Sequence, residues 1–153
     1  MHQILIKTLT NLLLYTSIGL SQDSLRLVNF YNSMGGSNWI NNTNWLSELA
    51  ISEWYGITVT DSNITSIELP RNNLSGQLPN EIGKILDLEI LNLSDNNLSD
   101  ELPDSIKCLT NLKSLDLSHN QFSGNPTDIF SDLKNLISLD LSYNNLNGNI
   151  QKN

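Results

Sequence analysis

LEILNLSDNNLSD, residues 88–100, is the stretch on which the fold turns. Leu88, Leu91, Leu93 and Leu98 stand at its first, fourth, sixth and eleventh places, and Asn96 stands at the ninth. The alternation of Leu91 and Leu93 about Asn92 suits a short strand with one buried face. The pattern recurs. ITSIELPRNNLSG begins at Ile64, LKSLDLSHNQFSG at Leu112 and LISLDLSYNNLNG at Leu136, so every start lies 24 residues from the next. All four satisfy LxxLxLxxNxL when Ile or Phe stands in for Leu.

Working outward from the strand, one such segment per repeat, always in the same direction, implies a parallel sheet with strands about 4.8 Å apart. The ninth-place asparagines, Asn72, Asn96, Asn120 and Asn144, fall where the chain leaves that sheet. A buried amide there bonds backbone groups of its own and the neighbouring coil, which an apolar side chain has no means to do. The second half of each repeat returns along the outside. Leu78 with Pro79 and Leu102 with Pro103 mark the turn, and Ile82, Ile85, Ile106, Leu109, Phe130 and Leu133 supply inward contacts. Proline fixes its own backbone angle and lacks a donor, so extended chain or short helical turns are expected there rather than a full sheet. Pro126 comes one place early, with Thr127 where proline is expected, which predicts a local kink. A single coil has no core of its own, so stability must come from the interfaces between coils.

The rest of the composition narrows the function. The 153 residues fit one domain, and 39% hydrophobic content suffices for an ordered core. A net charge of −8 with eight Lys and Arg argues against nucleic acid and against an anionic membrane surface, both of which demand cations. Cys108 is the sole cysteine, so no internal disulfide forms. It reads as a partly buried small residue, the other reading being a bridge to another chain. Residues 1–21 carry one charge, Lys7, then Leu12 to Leu14, Tyr15, Ile18 and Leu20, with small Gly19 and Ser21 at the end. This is the form of a signal peptide cleaved before Gln22, the alternatives being a retained capping helix or an anchor. The apolar run is short and broken by Thr10 and Asn11, so the mature chain is expected to lack a membrane span.

These residues resemble the leucine-rich repeat superfamily, and Gly76, Leu78 and Pro79 resemble the extension of its plant-type class. The resemblance implies an α/β solenoid: a right-handed superhelix with a short parallel sheet on its concave face and an amino-terminal helical cap. The implied division is a signal peptide, 1–21, a cap, 22–63, and four repeats over 64–150, the last incomplete. In the cap, Leu25, Leu27, Val28, Tyr31 and Met34 fall at helical spacings and Gly35 and Gly36 read as a helix stop. SEWYGITV resembles the family's C-x-W-x-G-V-x-C cap motif with Ser52 and Val59 at the cysteine positions, a disulfide-free cap like those of microbial members. Trp39, Trp45 and Trp54 are read as packing residues rather than a carbohydrate platform.

In such a coil the residues between the strand leucines face outward from the concave sheet. One row holds Glu68, Asn92, Asp116 and Asp140, a second Pro70, Ser94, Ser118 and Ser142, and a third Arg71, Asp95, His119 and Tyr143. Asp and Ser are common in the family pattern at the first two rows, so partner contact is expected chiefly on the third, whose residues are of the types enriched at hot spots. Asp116, Ser118 and His119 on one short strand have no means of converging as a hydrolase relay. No catalytic residue, cofactor or metal is assigned, since zinc ligands are scarce and the acidic row follows the repeat pattern. Sequons begin at Asn41, Asn63, Asn73, Asn92 and Asn97, and glycans on Asn92 or Asn97 would obstruct the concave face.

The expected function is recognition of a protein or peptide outside the cytoplasm through the concave face. The rivals are a structural or adhesive surface component, a truncated receptor-like ectodomain and, by family analogy, an inhibitor of secreted polysaccharide-degrading enzymes. Leu139, Leu141, Leu146 and Ile150 would face a coil beyond the fourth. With none following, self-association through that end, or a longer parent chain, is expected.

Overall fold

The computed structural model describes residues 22–148. The expected signal segment and Ile150 lie outside the described residues. Helix α1, Gln22–Ser33, opens the described chain. Asp23 in its first turn pairs with Arg26, and Leu27, Val28, Phe30 and Met34 turn inward. Leu25 and Tyr31 are half-buried, and Phe30 is an inward residue that the helical spacing alone did not single out. The helix stops at Gly35, whose φ of 67° lies in the left-handed region open to glycine.

The three tryptophans pack beneath this helix with exposures of 6%, 7% and 2%, which leaves no face for a sugar. Phe30 stacks on Trp45 at 6.3 Å, and Trp39 meets Trp45 edge-on at 4.9 Å. The Trp39 indole donates to the Met34 carbonyl at 2.7 Å and Trp45 to the Tyr55 carbonyl at 2.9 Å, whereas Trp54 Nε1 has no partner among the described residues.

The concave sheet has five strands. β1, Ile57–Thr60, pairs antiparallel with β2, Asn63–Glu68, and so forms the sheet edge on the amino-terminal side. β2, β4 (Ile90–Asn92), β6 (Ser114–Asp116) and β8 (Ser138–Asp140) then run parallel. Leu91, Leu115 and Leu139 stand opposite one another in that register.

A second parallel sheet departs from the expectation of an outer segment without one. It consists of β3 (Ser75–Gln77), β5 (Asn97–Glu101), β7 (Gln121–Gly124) and β9 (Asn145–Leu146). The physical reason lies between the asparagine and the proline. No residue there lacks a donor, so the chain ladders with its neighbour before proline stops it. Past the prolines, 3-10 turns follow at Asn80–Lys84 and Asp104–Cys108, each preceded by an extended proline, Pro79 or Pro103. In the third repeat the turn is displaced and shorter, Phe130–Asp132: Pro126 accepts from Ile129 at 3.0 Å as Pro79 and Pro103 accept from Ile82 and Ile106, but it stands one place early and so draws Ile129 inward in place of Phe130. Ile129 is buried as a result, and Phe130 is only half-buried.

The core lies between the two sheets and the outer turns, and its completeness depends on neighbours. Leu91, Leu93, Leu98, Leu115, Leu117 and Phe122 are 0% exposed. Their equivalents in the last coil, Leu139, Leu141 and Leu146, are only half-buried. Coils approach closely at Gly83, where an added Cβ would sit 2.2 Å from the Ser105 carbonyl oxygen. Cys108, expected to be partly buried, is exposed: it ends its 3-10 turn on the outward side, while Ile106 and Leu109 fill the interior.

Candidate recognition surface

The asparagine rungs define where the surface begins. Asn96 donates to the carbonyls of Leu69, Leu93 and Ser94 at 2.9 to 3.0 Å and accepts from the backbone N–H of Asn72 and Leu74. Asn120 serves Leu93, Leu117, Ser118 and the Leu98 N–H in the same way. Asn144 reaches Leu117, Leu141, Ser142 and the Phe122 N–H from a less buried position. Asn72 reaches Asn41 instead, accepting from its N–H at 2.6 Å and donating to its carbonyl at 2.9 Å. Each rung thus ties its coil to the one before it.

Of the first outward row, Glu68, Asn92, Asp116 and Asp140 end their strands on the open face of the sheet, with Asn92 opposite Asp116 and Asp116 opposite Asp140. Asn92, Asp116 and Asp140 also hold their own turns. Asn92 Oδ1 accepts from the Ser94 N–H at 3.0 Å and the Ser94 hydroxyl at 2.7 Å, and Asp116 does the same for Ser118. Asp140 accepts from the Ser142 N–H at 2.9 Å. The Ser142 hydroxyl and N–H hold the Asp140 carboxyl below its ordinary value, with nearby His119 adding to the effect. Glu68 takes the Ser66 hydroxyl at 2.8 Å.

The second row is corrected. Ser94 and Ser118 are buried rather than exposed and Pro70 is half-buried, because those hydroxyls fold back onto Asn92 and Asp116; only Ser142 is exposed.

The third row sits beyond the strands rather than on them. Arg71, Asp95, His119 and Tyr143 have φ of 52°, 55°, 53° and 56°, left-handed turns that carry each side chain to the rim of the sheet. All four are exposed, and they divide into two pairs. Arg71 Nε donates to Asp95 at 3.2 Å across the first two coils. His119 and Tyr143 stack across the last two at 4.1 Å with 13° between the rings. Backbone bonds fix the second pair: the His119 N–H donates to Ser142 at 2.9 Å and the Asn120 N–H to Tyr143 at 3.2 Å.

A further row was not singled out by the sequence. Ser66, Ile90, Ser114 and Ser138 share the open face, two residues before the first row, and period-two alternation is the signal that identifies them. Beside them Glu89 pairs with Lys113 at 2.8 Å, and Ile137 is 76% exposed. The arrangement is a polar, carboxylate-bearing sheet with apolar and aromatic groups at its margins. Among the described residues no group of His, Cys, Asp and Glu is placed to hold a metal ion, and no helix is long and apolar enough to cross a membrane.

The family described as Leucine rich repeat matches residues 62–122 and 111–151. A curated relative from Arabidopsis thaliana, Leucine-rich repeat receptor protein kinase EMS1, is 32% identical over 77 residues, 50% of this chain and 6% of that protein. Among solved structures, that of PEPR1-AtPEP1 is similar with a TM-score of 0.73 and 36% identity, over 84% of this chain and 19% of the other. The Arabidopsis receptor kinase HAESA in complex with the peptide hormone IDA and the co-receptor SERK1 has a TM-score of 0.70 and 29% identity, over 83% of this chain and 22% of the other. The chain therefore spans a small part of each of these three relatives. The α/β solenoid is shared with these receptor structures, and the repeats are of the plant type.

Proposed function

Because the chain belongs to the leucine-rich repeat family over residues 62–151, we propose that it is a non-catalytic recognition module that holds a protein or peptide on its concave sheet and the adjoining rim. One observation carries this reading. The sheet formed by β2, β4, β6 and β8 leaves one face uncovered, with the exposed row Arg71, Asp95, His119 and Tyr143 fixed at its rim by left-handed turns. A pre-set surface loses little conformational freedom on binding, which favours affinity. The peptide hormone in the HAESA structure supports the choice of a peptide or protein as occupant.

Residues 1–21 act in this reading as an export signal and residues 22–63 as the cap, which places the working surface outside the cytoplasm. Pull-down from extracellular fractions with the full chain, and with a variant carrying Arg71→Ala, His119→Ala and Tyr143→Ala, tests the proposal. A partner retained by the wild type and lost by the variant is expected. Equal capture of the same proteins by both chains overturns the assignment of the rim.

A further inference from the structure

Resting on the recognition reading above, we propose that the occupant of the concave face is cationic, and that its anchor is an arginine seated on the His119–Tyr143 pair with Asp116 and Asp140 facing the guanidinium. The charge pattern leads there first. The chain carries a net charge of −8, and the two cations beside the sheet are already paired, Arg71 with Asp95 and Lys113 with Glu89. Asp116 and Asp140 stand opposite each other on β6 and β8, and each engages a neighbouring serine through Oδ1. A carboxylate has about four acceptor sites, more than the bonds the neighbouring serine supplies to either, so two adjacent carboxylates keep accepting capacity toward the open side.

The rim pair supplies the second half of the site. Tyr143 is 75% exposed, yet its ring is held parallel to His119 at 4.1 Å by turns whose backbone bonds are already made. An aromatic face next to carboxylates selects against anions by repulsion, and it offers a neutral aliphatic group only contact area. A guanidinium gains on both counts, since it stacks on the ring and forks to a carboxylate. Lysine, a compact and strongly hydrated charge, matches the stack less well. The equivalent place on the first two coils lacks this chemistry because Arg71 fills it and Asp95 neutralises it. Binding is thereby assigned to the last two coils.

Random dodecapeptides displayed on phage and selected on the full chain, with parallel selections on Tyr143→Ala and on the Asp116→Asn, Asp140→Asn double variant, test this. Circular dichroism of each variant checks that it is folded. Wild-type selection should enrich arginine, and both variants should lose those peptides. For a selected peptide made synthetically, replacing its arginine by citrulline should weaken binding roughly tenfold or more, with lysine intermediate. Tyr143→Phe, which keeps the ring, should bind as the wild type does. Peptides that depend on the concave face but carry no excess of arginine, or arginine peptides indifferent to Tyr143→Ala, overturn the inference and leave the recognition reading standing. Selected peptides indifferent both to Tyr143→Ala and to the Asp116→Asn, Asp140→Asn double variant, and to the Arg71→Ala, His119→Ala, Tyr143→Ala variant, overturn both.

Discussion

The first two coils and the last two are written in the same 24-residue pattern and behave differently. Toward the amino terminus the solenoid is sealed: β1 covers the sheet edge, Asn41 takes the place of a preceding rung, and the rim pair Arg71–Asp95 satisfies itself. Toward the carboxyl terminus the last described coil keeps its leucines half-buried, and its rim offers a stacked pair and two carboxylates with spare acceptors. The lesson is that a residue's burial here is set by the coil next to it rather than by its own repeat, as one-dimensional packing requires. Strength and chemistry are therefore distributed to different ends.

The largest test of that contrast is a pair of core truncations. Leu115→Ala, at 0% exposure, should cost about 3 to 5 kcal/mol in urea unfolding, whereas the same change at its register partner Leu139 should cost about half as much. Equal losses would break the comparison. Next come the rungs. Asn96→Ala leaves three carbonyls and two N–H groups short of a partner and should cost about 3 kcal/mol, against about 1 kcal/mol at the less buried Asn144. Gly83→Ala forces the outer turns of the first two coils apart and should lower stability by about 2 kcal/mol, readable as a fall in the thermal midpoint.

The smallest expected effect is electrostatic. Asp140 titrates below its ordinary 3.8 in the folded chain, chiefly through the Ser142 hydroxyl and N–H. Its contribution to stability is therefore complete above that ordinary value and fades as pH falls through the lowered folded value. Stability measured from pH 5 downward should show a shallower acid slope for Asp140→Asn than for the wild type.

Much of the molecule was legible beforehand because the repeat is periodic. The strand leucines, the asparagine rungs and the inward residues of the return segment, apart from the exchange of Phe130 for Ile129, follow from spacing alone, and so does helix α1. Four things were not legible, each for a physical reason. The second sheet depends on pairing between coils at an offset of 22 residues, Ser75 with Asn97, which a repeat of 24 does not announce. The burial of Ser94 and Ser118 follows from hydroxyls that return to Asn92 and Asp116, a local bond that competes with exposure. The division of the rim into an ion pair and a ring stack depends on which residues of successive repeats meet in space. The chemistry of row three was visible in the sequence, but its left-handed geometry was not, since only turn context places Arg71, His119 and Tyr143 at positive φ.

The central claim is that the last two coils recognise and the first two support. Backbone and ring chemical shifts of the full chain, followed as an arginine-bearing peptide selected on it is added, test this most directly. The account predicts that the largest changes gather at Asp116, His119, Asp140 and Tyr143, with Arg71 and Asp95 little moved. Shifts concentrated on α1 or on the outer strands β3, β5 and β7, with the His119 and Tyr143 rings unmoved at saturation, would contradict it.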